Sequence, residues 1–221
     1  MAILELYRNH NTEIKNFTIY GERHSGTNFL EQSIKNKFNL DVVWDFGWKH
    51  FFGLIKPERI QQAQSTLFFC IVRNPYDWIM AMHHLPHHIH PHRSYNIINF
   101  LTSEWCSIRH DQTEMLEDRN FNTNLVRYEN IFELRKVKCL YLIETMPRLA
   151  SNCVVLSYDD LVLSHQRILD TTGYKFGLVN TSKPPLPHEL RKYYVEDKVK
   201  DIIDSHIDWN IESMMGFSKL G

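Results

Sequence analysis

Four short apolar runs punctuate the chain, at residues 17–20, 41–44, Thr66–Val72 and 153–157. The third, TLFFCIV, carries no polar alternation, which is the pattern of a strand covered on both faces. Between these runs the period lengthens. Leu30, Ile34 and Phe38 recur at four-residue spacing, Ile131, Leu134, Val137 and Tyr141 form a second stripe, and PERIQQAQ opens with a proline suited to a first helical turn. Strands alternating with helices predict an α/β fold, three-layered, with a central, mainly parallel sheet flanked by helices. No repeat or low-complexity linker divides the 221 residues, so a single domain over residues 1–221 is expected. The loosest stretch is read at residues 171–187, with KPPLP near its end, and RKYYVEDKVKDIIDSH is read as the last helical stretch.

Between the first apolar run and the first helical stripe lies GERHSGTN, Gly21 to Asn28. A glycine-bracketed loop leading from a strand into a helix is an anion cradle, because backbone N–H groups and a helix N-terminus converge there. The loop matches the first six positions of the nucleoside triphosphate loop G-x-x-x-x-G-K-[ST]. Thr27 and Asn28 then stand where the lysine and its hydroxyl partner belong, which disfavours an ordinary ATP or GTP enzyme. The positive charge sits earlier, at Arg23 and His24. Helix capping is the competing reading of Ser25 and Thr27.

Composition narrows the partners. With 43% hydrophobic and 23% charged residues and a net charge of -1, the chain has no basic excess for nucleic acid and no membrane-seeking character, so an anion site must be a local cluster. Cys70, Cys106, Cys139 and Cys153 are widely spaced and form no C-x-x-C pair, which reads as buried free thiols in a reducing compartment. MAILELYRNHNTEIK lacks a long apolar core, and a cytoplasmic location is expected.

GERHSGTNFL after one strand, VRNPYDW after a buried strand, and VVLSYDDL after a third together make the sequence resemble the sulfotransferases that use 3′-phosphoadenosine 5′-phosphosulfate. The resemblance spans about residues 17–217. It implies a P-loop-like fold that moves a sulfonate to a hydroxyl or amine of a small-molecule or glycan acceptor and releases 3′-phosphoadenosine 5′-phosphate, with no metal. By the same resemblance Arg23, His24, Ser25, Gly26, Thr27 and Asn28 hold the phosphosulfate, and Arg73 holds the 3′-phosphate. Phe29 and Tyr158 then contact adenine, although either also reads as an ordinary core aromatic. His50 takes the place of the base and Lys49 steadies the leaving phosphate. Two departures stand out. His24 occupies a place the family gives to Lys or Arg, and Ala81 replaces a serine eight positions after Arg73, which brings in Arg191 or Lys192 as replacement donors. Lys49 and His50 are also adjacent, so on an extended strand they would point to opposite faces, and both can act only if the chain bends.

Six histidines crowd MHHLPHHIHPHR. Neutral imidazoles bind zinc or copper, but the spacing is irregular and no cysteine or carboxylate interrupts the run. The run reads instead as an acceptor-facing lid in which His87, His88 and His90 meet the acceptor, with a merely solvated loop as the bland alternative. Competing with the transferase are a protein of the same fold that binds the nucleotide without transfer, and a nucleotide kinase.

Overall fold

The computed structural model describes residues 4–8, 12–53, 59, 63–89, 96–181 and 183–221. The chain forms two compact units, the first from Met1–Asn74 with Tyr141–Arg191 and the second from Pro75–Leu140 with Lys192–Gly221. No helix among the described residues is long and apolar enough to cross a membrane.

The first unit holds the α/β fold. Its strands are β1 (Leu4–Arg8), β2 (Asn16–Tyr20), β3 (Asp41–Val42), β4 (Thr66–Val72) and β5 (Asn152–Ser157), in the sheet order β1-β5-β4-β2-β3. All neighbours run parallel except β1, which pairs antiparallel with β5. Every residue of β4 and β5 is buried, as the absence of polar alternation in TLFFCIV requires. Side chains of alternate residues point to opposite faces of a strand. Phe17, Ile19, Leu67, Phe69, Ile71, Val154 and Leu156 therefore share one face, where they pack with Leu30 and Ile34 of α1 (Thr27–Lys37) and with Ile168 and Leu169 of a later helix, His165–Phe176. Across the sheet, Phe68 lies parallel to Tyr20 at 6.3 Å and 5.1 Å from Phe46, and Phe52 meets Tyr141 edge-on at 5.0 Å.

The second unit is helical. Its elements are α2 (Pro75–His84), α3 (Ile97–Thr102), α4 (Ile131–Leu140), and two helices near the end of the chain, Asp197–His206 and Trp209–Met214. Trp78, Phe100, Trp105, Tyr128, Leu134 and Ile203 centre its core. Within this unit Arg135 makes a bidentate pair with Glu212, at 2.5 and 2.7 Å, and its guanidinium lies 5.1 Å over Trp78. Counting in chain order, α5 is Met146–Leu149, α6 Tyr158–Leu163, α7 His165–Phe176, α8 Asp197–His206 and α9 Trp209–Met214.

Several boundaries differ from the sequence reading. Strand β1 was not foreseen: LELYR is only partly buried and finds its partner, β5, far along the chain. The strand expected at 41–44 shrinks to Asp41–Val42. The stretch 171–187 is not uniformly loose, because α7 continues through Phe176 on its buried Ile168, Leu169, Thr172 and Phe176 and stops only at the left-handed Gly177. The last helical stretch starts late, since extended backbone at Glu196 delays α8 to Asp197. Tyr141 leaves the helical stripe for a π-helical turn, Tyr141–Thr145. Of PERIQQAQ, residues 57, 58 and 60–62 lie outside the described residues, and Ala63 and Gln64 belong to a short 3-10 turn, Ala63–Ser65.

Candidate functional site

The glycine-bracketed loop leaves β2 in the first unit and is fixed from below by close packing. A Cβ on Gly21 would lie 2.6 Å from the Ile71 side chain of β4, and one on Gly26 would lie 2.3 Å from the Tyr158 ring. The loop closes with Ser25 N–H donating to the Glu22 carbonyl at 3.1 Å. Two left-handed residues, His24 (φ +61°) and Gly26 (φ +89°), turn it into α1. Gly26 is the N-cap and no side chain caps the helix, so Ser25 and Thr27, both buried, do not serve as caps. The N–H groups of the first turn have no acceptor within the helix, and they face the loop that precedes it.

Sequence reasoning missed what happens to Arg23. Its side chain is buried, and the Glu22 carboxylate accepts both the Arg23 backbone N–H and the guanidinium, each at 2.8 Å. The guanidinium also sits 5.6 Å from the centre of the Trp48 ring. Much of its charge is therefore answered by its own neighbour. A second cation reaches the loop from elsewhere: Lys49 Nζ donates to the Asn28 side-chain carbonyl, and burial pushes the Lys49 pKa down.

The bend that Lys49 and His50 require is present. Phe51 N–H donates to the Trp48 carbonyl at 2.9 Å, a tight turn that lets both residues face the same loop. Gly21 N–H donates to the Lys49 carbonyl at 3.0 Å, and His50 Nδ1 lies 2.7 Å from the Gly21 carbonyl. A carbonyl oxygen only accepts, so His50 donates from Nδ1, and in the neutral imidazole the lone pair is then on Nε2. Trp48 stands edge-on to the imidazole at 4.6 Å.

Arg73 follows β4 directly, where open parallel sheets gather ligands. It is buried, donates to the His24 carbonyl at 2.9 Å and to the Arg191 carbonyl at 2.7 Å, and lies 4.7 Å over the Tyr158 ring. Arg191 thus meets Arg73 through its backbone carbonyl. Phe29 and Tyr158 are both buried, and His188, which sequence reasoning did not single out, bridges them. Nothing in KPPLPHEL distinguishes this histidine from any other loop residue.

The remaining expected residues belong to the second unit. Ala81 is buried on α2, and Lys192 is paired with Asp77 at 2.8 Å. His87 is exposed, whereas His88 (φ +60°) is tied to Ile108 in both directions: Ile108 N–H donates to the His88 carbonyl at 2.9 Å, and His88 Nδ1 donates to the Ile108 carbonyl at 3.1 Å. His110 lies 5.5 Å away, and His88, Arg109, His110, Asp111 and Met115 line a cavity of about 370 Å³. His90 and His92 lie outside the described residues. No group of three or more potential metal ligands forms among the described residues. No protein-family model and no curated protein matches the chain.

Proposed function

We propose that the chain is a sulfotransferase that moves a sulfonate from 3′-phosphoadenosine 5′-phosphosulfate to a hydroxyl or amine of a small-molecule or glycan acceptor. One observation carries the reading: a cation, a base and a buried arginine are all bonded to one anion loop. Lys49 holds Asn28, His50 holds the Gly21 carbonyl, and Arg73 holds the His24 carbonyl. The donor set suits the nucleotide. It offers one permanent guanidinium for a terminal phosphate, helix N–H groups for the bridging phosphate, and two buried aromatic faces for a base.

The donor supplies an activated sulfur whose bond to the 5′-phosphate oxygen breaks as the acceptor atom bonds to it. His50 Nε2 takes the acceptor's proton, with the Gly21 carbonyl holding the tautomer that makes this nitrogen basic. Lys49 Nζ and the first-turn N–H groups of α1 meet the negative charge that collects on the departing phosphate. Lys49 is held beside the loop by Asn28, so little reorganisation is needed when that charge appears. Arg73 orients the nucleotide from the far end.

Calorimetric titration in EDTA tests the donor site. 3′-Phosphoadenosine 5′-phosphate is expected to bind, and adenosine 5′-phosphate, which lacks the 3′ group, is expected to bind at least an order of magnitude more weakly, as loss of a charge-assisted bidentate contact implies. Equal affinities would refute the role of Arg73, and an absolute need for magnesium would point to a kinase.

A further inference from the structure

Two of the contacts that the donor reading requires are already made by one short segment of the chain. His188 lays its imidazole flat on the Phe29 ring, with centroids 3.9 Å apart and planes 13° from parallel. Its Nε2 lies 2.9 Å from the Tyr158 hydroxyl. Three residues on, the Arg191 carbonyl accepts from Arg73 at 2.7 Å. A flat nitrogen heterocycle stacked on an apolar ring, with a ring nitrogen hydrogen-bonded to a polar side chain, satisfies the same demands as a nucleobase. The Arg191 carbonyl likewise takes from Arg73 a hydrogen bond of the kind a phosphate oxygen would accept.

The segment is fastened at its base and open at its tip. Thr181 N–H donates to the Lys37 carbonyl at 2.8 Å, and the Asn36 side-chain amide donates to the Pro184 carbonyl at 2.6 Å. Leu186 and Leu190 rest against the core of the first unit. His188 itself is exposed, while Phe29 and Tyr158 beneath it keep only 8% and 4% of their surface. The imidazole can therefore lift outward without disturbing the core. Partial burial and the nearby Arg191 and Arg73 disfavour its protonation, which keeps it in the neutral form that imitates a base.

We propose that residues 186–191 are a self-supplied occupant of the nucleotide site, with His188 in the base slot and the Arg191 carbonyl on Arg73, so that nucleotide binds by exchange with this segment. The inference rests on the donor reading above. It makes His188 a determinant of nucleotide affinity that acts against binding, the reverse of a residue that clamps the ligand.

The test compares wild type with His188→Ala, a change at an exposed side chain. Each is titrated calorimetrically with 3′-phosphoadenosine 5′-phosphate, and hydrogen–deuterium exchange is followed over residues 183–191. Removing the internal competitor raises the fraction of binding-competent molecules, so the variant is expected to bind roughly tenfold more tightly. Saturating nucleotide is expected to speed exchange in the segment of the wild-type protein. Equal or weaker binding by the variant, or exchange in the wild type that slows or stays constant with nucleotide, overturns the exchange mechanism and leaves the donor site standing. Binding by neither protein overturns the donor reading itself.

Discussion

Gly26 and Gly177 offer a matched pair of substitutions that separates backbone strain from steric collision. Both lie at helix ends with left-handed backbone, φ +89° and +66°. An alanine in that region costs about 1 kcal/mol whatever surrounds it. At Gly177 an added Cβ meets nothing within 4 Å, so Gly177→Ala should lose only that amount. At Gly26 the same methyl group would lie 2.3 Å from one carbon of the Tyr158 ring and 2.9 Å from another. Reaching ordinary contact at 3.4 Å requires a displacement of 3.4 − 2.3 = 1.1 Å. The ring cannot yield cheaply, because it is buried under the Arg73 guanidinium and bonded to His188. Overpacking of this kind adds about 1–3 kcal/mol, which brings Gly26→Ala to roughly 2–4 kcal/mol. For a chain of this length, each kcal/mol lowers the melting temperature by about 2–4 °C. Scanning calorimetry should therefore show a drop of about 2–4 °C for Gly177→Ala and roughly 4–16 °C for Gly26→Ala. Titration with 3′-phosphoadenosine 5′-phosphate should show weakened binding only in the second variant. Equal melting shifts, or Gly26→Ala with native affinity, would refute the claim that loop and Tyr158 are packed without slack.

His50→Ala should cut release of 3′-phosphoadenosine 5′-phosphate, assayed across phenol, sugar and amine acceptors, by ~10²–10⁴ while the product still binds; near-normal turnover in a folded variant would remove His50 from the base role. Glu212→Ala leaves the Arg135 guanidinium buried without its carboxylate and should destabilise the second unit by about 3–5 kcal/mol, measured as a shifted denaturant midpoint, with Arg135→Met combined with Glu212→Leu recovering much of the loss. Hydrogen bonds from Arg119 and then Arg127 hold the Glu114 pKa down at about 2, from an ordinary 4.5. Its contribution is thus complete above pH 4.5 and fades as the pH falls toward 2, so Glu114→Gln should flatten the acid limb of stability in that window.

Local pattern made some of this structure legible and left the rest hidden. TLFFCIV gave away β4 to the residue, because a central strand buried on both faces reads as a near-continuous apolar run, here Leu67–Val72 after Thr66. LELYR concealed β1, since an edge strand needs only partial burial and its partner β5 is invisible from nearby residues. Within the candidate site, the glycines stood out by bracketing the loop and Arg73 by its place after a buried strand, while the Lys49–His50 pair was reached only through the family resemblance. The hold of Glu22 on Arg23 and the seat of His188 on Phe29 did not, because each depends on where a side chain is delivered in space and on no repeating pattern.

The sheet order also fixes a timetable. Strand β5 lies between β4 and β1, so neither can gain that neighbour before β5 exists. Cys70 and Cys153, whose sulfurs sit 3.9 Å apart on these adjacent strands, are 83 positions apart in the chain. At about 5–20 residues per second, a ribosome needs roughly 4–17 s to cover that distance. Throughout that interval the largely apolar β4 is a finished strand with one unsatisfied edge, the state in which nascent chains recruit each other or a chaperone. β5 is thus the last strand to be made, β1 can join the sheet only through it, and a ribosome that stalls before Asn152 leaves β4 in that sticky intermediate.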